Sequence, residues 1–169
     1  EASREAIRAV TDGNDEALKA LLISAEDLKS LGIEKQIASK LLAQVTEAPK
    51  KARATLAKSK VLTPQSKWAK FDAVMPGMIP ADDGKATEDL QVYENAMVIV
   101  ETGKSSGLVQ IGEMIRVGEV WKLTQAPLPI EGKEDVLAGG VLMQPVVADA
   151  STGSGPAPSP KLQKLLEEL

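Results

Sequence analysis

The stretch that decides the fold is Leu90–Thr102, LQVYENAMVIVET, followed by Leu108–Val117, LVQIGEMIRV, and Val120–Gln125, VWKLTQ. The first run is rich in β-branched and aromatic residues, which suit a pleated, half-buried surface. Gly103–Gly107 reads as the turn that follows it. Gly118-Glu119 then fits a two-residue hairpin of type II′, with glycine first. That turn pairs Val117 with Val120 and Arg116 with Trp121. Simple alternation then puts Ile111, Ile115, Val117 and Val120 on one face, and Met114, Trp121 and Leu123 on the other. Both faces are partly apolar, so a helix layer covers one and the other needs a further cover.

Upstream, Ser66–Val74 reads as another strand, carrying Trp68 and Phe71, and 75–89 as a loop. Pro127 and Pro129 close the sheet. Before the strands the hydrophobic period changes to that of helices. Residues 2–10 form a short helix on Ala6, Ile7 and Val10. A second, over 15–22, carries Ala17, Leu18, Leu21 and Leu22. Ser24 with Asp27 three residues on is a variant capping box that opens a third, ending near Gly32. From Ile33 a longer stripe runs through Ile37, Leu41, Leu42, Val45, Ala48, Ala52 and Leu56. Pro49 interrupts it, and an internal proline costs about 3 kcal/mol, so a bend or two helices are expected. The fold class is α+β: N-terminal helices packed on a curved antiparallel sheet of about four strands. The domain occupies 1–130. Residues 131–148 read as an extended segment or an arm docking on the sheet, 149–160 (DASTGSGPAPSP) as a flexible linker, and 161–169 as the start of a truncated helix with Leu162, Leu165, Leu166 and Leu169.

Composition narrows the chemistry. Among 169 residues there is no histidine and no cysteine, which removes the side chains most used for acid–base, nucleophilic and transition-metal work near neutral pH. Aromatics are 2% of the chain and apolar residues 43%, so the core is aliphatic. A net charge of −4 argues against a general nucleic-acid surface. No apolar run approaches the roughly 20 residues of a membrane span, and no signal segment is visible. The chain starts at Glu1, which reads as a fragment of a longer protein.

Each motif has a plainer alternative. Glu101-Thr102-Gly103-Lys104-Ser105 lacks the upstream glycine and following helix of a phosphate loop, and reads as a β-turn. Asp82, Asp83, Glu88 and Asp89 lack the alternation of a calcium loop, and read as a solvated acidic loop. Lys50, Lys51, Arg53, Lys58 and Lys60 read as a solvated helix face. Glu94, Glu101 and Glu113 read as solvent-facing strand residues. Trp68, Tyr93, Met97, Met114 and Trp121 could line an apolar pocket on the concave face, or serve as core anchors.

The strand set, ending in Gly118-Glu119-Val120-Trp121-Lys122-Leu123, resembles the cystatin-like and nuclear transport factor 2-like α+β domains, over residues 1–130. The run IGEMIRVGEVWKLTQAPLP also resembles the accessory region that precedes a thioredoxin-like (redoxin) domain in bacterial envelope proteins. These resemblances imply an extracytoplasmic setting, with the redox thiols in a downstream domain. The expected function is a non-catalytic accessory domain that binds a protein partner or itself through its sheet, without a cofactor. The alternative is a domain that binds a small apolar ligand. A carboxylate-based hydrolase or isomerase is the third reading.

Overall fold

A computed structural model describes residues 1–132 and 140–143. The arm's remainder, the linker and the C-terminal leucine helix read from sequence lie outside the described residues.

Four helices precede the sheet: α1 (Ala2–Thr11), α2 (Asp15–Leu21), α3 (Ala25–Ser30) and α4 (Lys35–Lys58). Local chemistry sets their starts. The Asn14 side chain accepts the Ala17 N–H at 3.0 Å. At α3 the capping box is complete: Ser24 Oγ accepts the Asp27 N–H at 3.1 Å, and the Ser24 N–H donates to Asp27 at 2.9 Å. Such a cap is worth about 1 kcal/mol. Helix α4 is a single element with Pro49 inside it and buried, so the two-helix alternative is corrected. The proline leaves the Val45 carbonyl without its usual amide donor. Ala48 and Ala52 are buried on either side of it, and that packing offsets the penalty.

The sheet is curled and antiparallel, with six strands: β1 (Lys67–Asp72), β2 (Gly77–Ile79), β3 (Leu90–Thr102), β4 (Ser105–Val117), β5 (Val120–Leu123) and β6 (Leu128–Ile130). The long strands β3 and β4 form its spine. Each is flanked by two short strands in tandem: β1 and β2 along β3, β5 and β6 along β4. The four expected strands are there. Strand β2 corrects the reading of 75–89 as one loop, and β6 extends the sheet through Pro129. A proline is tolerated there because an edge strand need not donate outward. Val117 pairs with Val120 and Arg116 with Trp121, as the two-residue turn requires.

The alternation across β4 is corrected. Met97 pairs with Gln110 but Ala96 with Gly112, so Ile111 is an extra residue in β4. Gly112 adopts a left-handed conformation at this bulge, φ +83°, which glycine takes without steric cost. A compensating bulge in β3 falls between Tyr93 and Ala96. Past the bulge the faces exchange. Ile111 packs with Met114 and Leu123 in a first core cluster, whereas Ile115 belongs to a second.

The first cluster joins α1, α2 and the second half of α4 to Ala96, Val98, Val100 and Val109. The second joins α3 and the first half of α4 to Leu90, Val92, Ile115 and Leu142. The chain moves from one to the other at Leu22-Ile23. There it forms a parallel bridge along β5, with the Ile23 N–H donating to the Leu123 carbonyl at 2.9 Å. Leu22 belongs to the first cluster and Ile23 to the second.

Candidate functional site

The aromatic residues do not face one space. Tyr93 sits 4.6 Å from Trp121 and 5.5 Å from Phe71, ring centre to ring centre, in tilted and edge-on contacts. Met114 is the cross-strand neighbour of Tyr93 and is buried in the first cluster. Trp68 stands apart on β1. Its indole N–H donates to Ser3 Oγ at 3.3 Å and the Arg4 guanidinium lies 4.5 Å over its ring, which ties the strand to α1. Met97 pairs with Gln110 and Asp72 and belongs to neither cluster. Trp121 borders a cleft of about 400 Å³ with Glu5 and Leu21; Trp68 borders another of about 340 Å³ with Arg8 and Thr11. Of the five, Tyr93, Met114 and Trp121 are brought together, as core contacts.

Glutamate 113 corrects its expected solvent-facing position. The residue has 0% exposure. It directly follows the Gly112 bulge and lies on the side of the strand that carries Ile115 and receives Leu142. Its Oε2 accepts the Leu142 N–H at 2.9 Å and the Met143 N–H at 3.4 Å. The Val141 amide also bonds to the carboxyl. The Glu113 carbonyl accepts from Thr124 twice, through Oγ1 at 3.0 Å and through the backbone N–H at 3.2 Å. Gly140 packs so closely on the carboxyl that a Cβ there would collide with Oε2. Leu142 is fully buried in the second cluster. The carboxyl therefore holds a distant piece of backbone against the sheet. Its pKa is pushed up to about 7. Burial is the main cause; the three amides oppose it, and the nearby charge of Glu94 adds to it. A carboxyl poised near 7 is also what acid–base chemistry uses, but this one has no exposed surface for a substrate to meet. Glu94 and Glu101 are exposed.

A third feature lies on the β1–β2 side. Of the exposed large hydrophobic residues, Val74 is 75%, Met75 89% and Met78 61% accessible. The pairs Asp72–Met97 and Gly77–Val92 bracket the 73–76 link, which therefore runs beside Tyr93–Ala96 and spans the β3 bulge. Pro76 and Pro80 bracket β2. The acidic loop follows directly. Its backbone is ordered by a 3-10 turn, Ala81–Asp83, by Asp89 accepting the Ala81 N–H at 2.9 Å, and by Lys85, which is buried and pairs with Asp83 at 2.9 Å. Asp82, Asp83, Glu88 and Asp89 are all exposed. No three acidic groups converge as metal ligands among the described residues. The Thr102–Ser105 turn, the rejected phosphate loop, leads straight into β4.

The fold and these features define an α+β domain of four helices on a curled antiparallel half-barrel. Compared with protein-family models, curated proteins and solved structures, the chain matches none. No helix among the described residues is long and apolar enough to cross a membrane.

Proposed function

We propose that this chain is an interaction domain, an accessory part of a larger bacterial protein that works outside the cytoplasm. The observation that carries the interaction reading is the exposed trio Val74, Met75 and Met78 on one short stretch of sheet edge. Single exposed apolar side chains are ordinary, but three within five residues form a patch of the kind that marks contact sites. Methionine suits such a surface because its unbranched, polarisable side chain adapts to a partner's shape. The wider setting, an envelope protein with a redoxin domain downstream, rests on the resemblance of the IGEMIRVGEVWKLTQAPLP run.

A photo-crosslinking residue placed at position 75 in the full-length parent protein tests the reading in cells. The expected result is a discrete crosslinked protein that is absent when the crosslinker is moved to Lys104, an exposed turn residue on the sheet, and that is lost with Met78→Ser. The same crosslink pattern from both positions would overturn it.

A further inference from the structure

The exposed apolar trio coincides with the charge asymmetry of the chain. Residues 72–94 contain Asp72, Asp82, Asp83, Glu88, Asp89 and Glu94 against one lysine, Lys85. That is a local charge of −5, against −4 for the whole molecule. All six carboxylates are on exposed residues. The lysine is buried and ion-paired with Asp83, so it offsets that one carboxylate.

Resting on the interaction reading above, we propose that Val74, Met75 and Met78, with the carboxylates around them, dock a cationic amphipathic segment of a partner protein. Three other occupants fit less well. A second copy would present the same −5 surface, and like charges brought together oppose association. The chain's own residues 144–169 carry Asp149, Glu167 and Glu168 against Lys161 and Lys164, a charge of −1 that offers no complement. An anionic lipid surface attracts basic segments and repels this one. Addition of a partner strand to β2 is also disfavoured. Pro76 and Pro80 sit at its two ends, and prolines at an edge limit strand pairing. Recognition therefore falls to side chains: apolar anchors in the middle and cations around them. A helix with one apolar face and lysines or arginines beside it presents that pattern.

The test uses the full chain and three labelled 18-residue synthetic peptides: an amphipathic helix of Leu and Lys, its Leu and Glu counterpart, and a Lys and Ser peptide without an apolar face. The Leu/Lys peptide is expected to bind best, and to weaken as salt screens the charges. Met75→Ser with Met78→Ser should weaken it roughly tenfold or more. A second variant, Asp72→Asn, Asp82→Asn, Glu88→Gln and Glu94→Gln, spares the Asp83–Lys85 pair and the Asp89 cap. It should remove most of the salt dependence. Radical footprinting of the unbound chain should label Met75 and Met78 readily; protection of both would mean that the tail or a second copy already covers the patch, and would overturn the proposal. Equal binding of the Leu/Glu peptide, with the crosslink at position 75 intact, would overturn the charge inference and leave the interaction reading standing. Loss of both peptide binding and crosslink would remove both.

Discussion

Two glutamates in this molecule make the same kind of contact and respond to pH in opposite directions. Glu113, in the sheet, gathers the amides of Val141, Leu142 and Met143. Glu131, just after β6, accepts from Ser59 Oγ at 2.5 Å and from the Lys60 and Val61 amides at 2.8 and 3.3 Å. Each pins one segment to another far away in sequence. Glu131 is exposed, so its charge stays hydrated, and its donors, Ser59 first, hold its pKa below the ordinary value. Glu113 is sealed, and loss of hydration outweighs its donors. Hydrogen bonds to a carboxylate favour the charged form only while burial does not cost more.

The largest expected effect breaks the buried contact outright. Gly140→Val would drive a side chain into the Glu113 carboxyl and pull Leu142 from the second cluster. A loss on the order of 3 kcal/mol is expected from the emptied site and the unmet polar group. Urea denaturation measures it, and wild-type stability in this variant would mean that the 140–143 contact contributes nothing.

The next effect sharpens the contrast in sign. A carboxyl whose folded pKa is raised stabilises the fold fully below its unfolded value, and this is lost as pH rises through the folded value. For Glu113 the window runs from the ordinary carboxylate range up to about 7, and the change across it is on the order of 3 kcal/mol. Glu113→Gln keeps an acceptor for the Leu142 amide and cannot ionise. Its stability should be nearly flat between pH 5 and 8, where the wild type declines. Parallel curves from the two proteins would show that another group is responsible.

The smallest effect belongs to the exposed partner. Glu131 has a lowered pKa, so its contribution is present above the ordinary carboxylate value and is lost as pH falls through the folded one. Glu131→Gln should cost less than about 1 kcal/mol at pH 7, because the group is solvated. The difference from wild type should shrink between pH 7 and acid well below the ordinary carboxylate range. Thermal melts at the two pH values compare them, and a difference that grew in acid would contradict the assignment.

These contacts also show where sequence reasoning reaches. Leu90–Thr102 was legible to the residue, because a long run with a strand period needs no distant information. The Ser24–Asp27 cap and the Gly118-Glu119 turn were legible for the same reason: their chemistry is local. Ile111 was assigned to the wrong face because strict alternation assumes an unbroken ladder, and the bulge at Gly112 depends on what β3 does opposite. Glu113 stays on the Ile115 side with or without the bulge; it escapes because a strand carboxylate ordinarily faces solvent. Its amide partners lie nearly thirty residues further on, and the available signals were weak: a glycine immediately before it and the Gly139-Gly140 pair in an apolar stretch. Strands β2 and β6, three residues each, are too short to show a period and are bracketed or interrupted by proline. For the proposed interaction surface, the acidic loop is legible, but its exposure and that of Met75 depend on which side of β3 the edge strands occupy.

The paired bulges have a consequence for how this domain can change length. The extra residue in β4 is matched by one in β3, so the pairs beyond them, Val92–Ile115 and Tyr93–Met114, return to the register set by Val98–Val109. Removing Gly112 alone would slip the rest of β4 by one position and turn Ile115 out of its cluster. Removing it together with one residue of Glu94-Asn95 would restore the ladder as a shorter, flatter sheet. Insertions and deletions in the two central strands are therefore tolerated in couples, one on each side of the ladder.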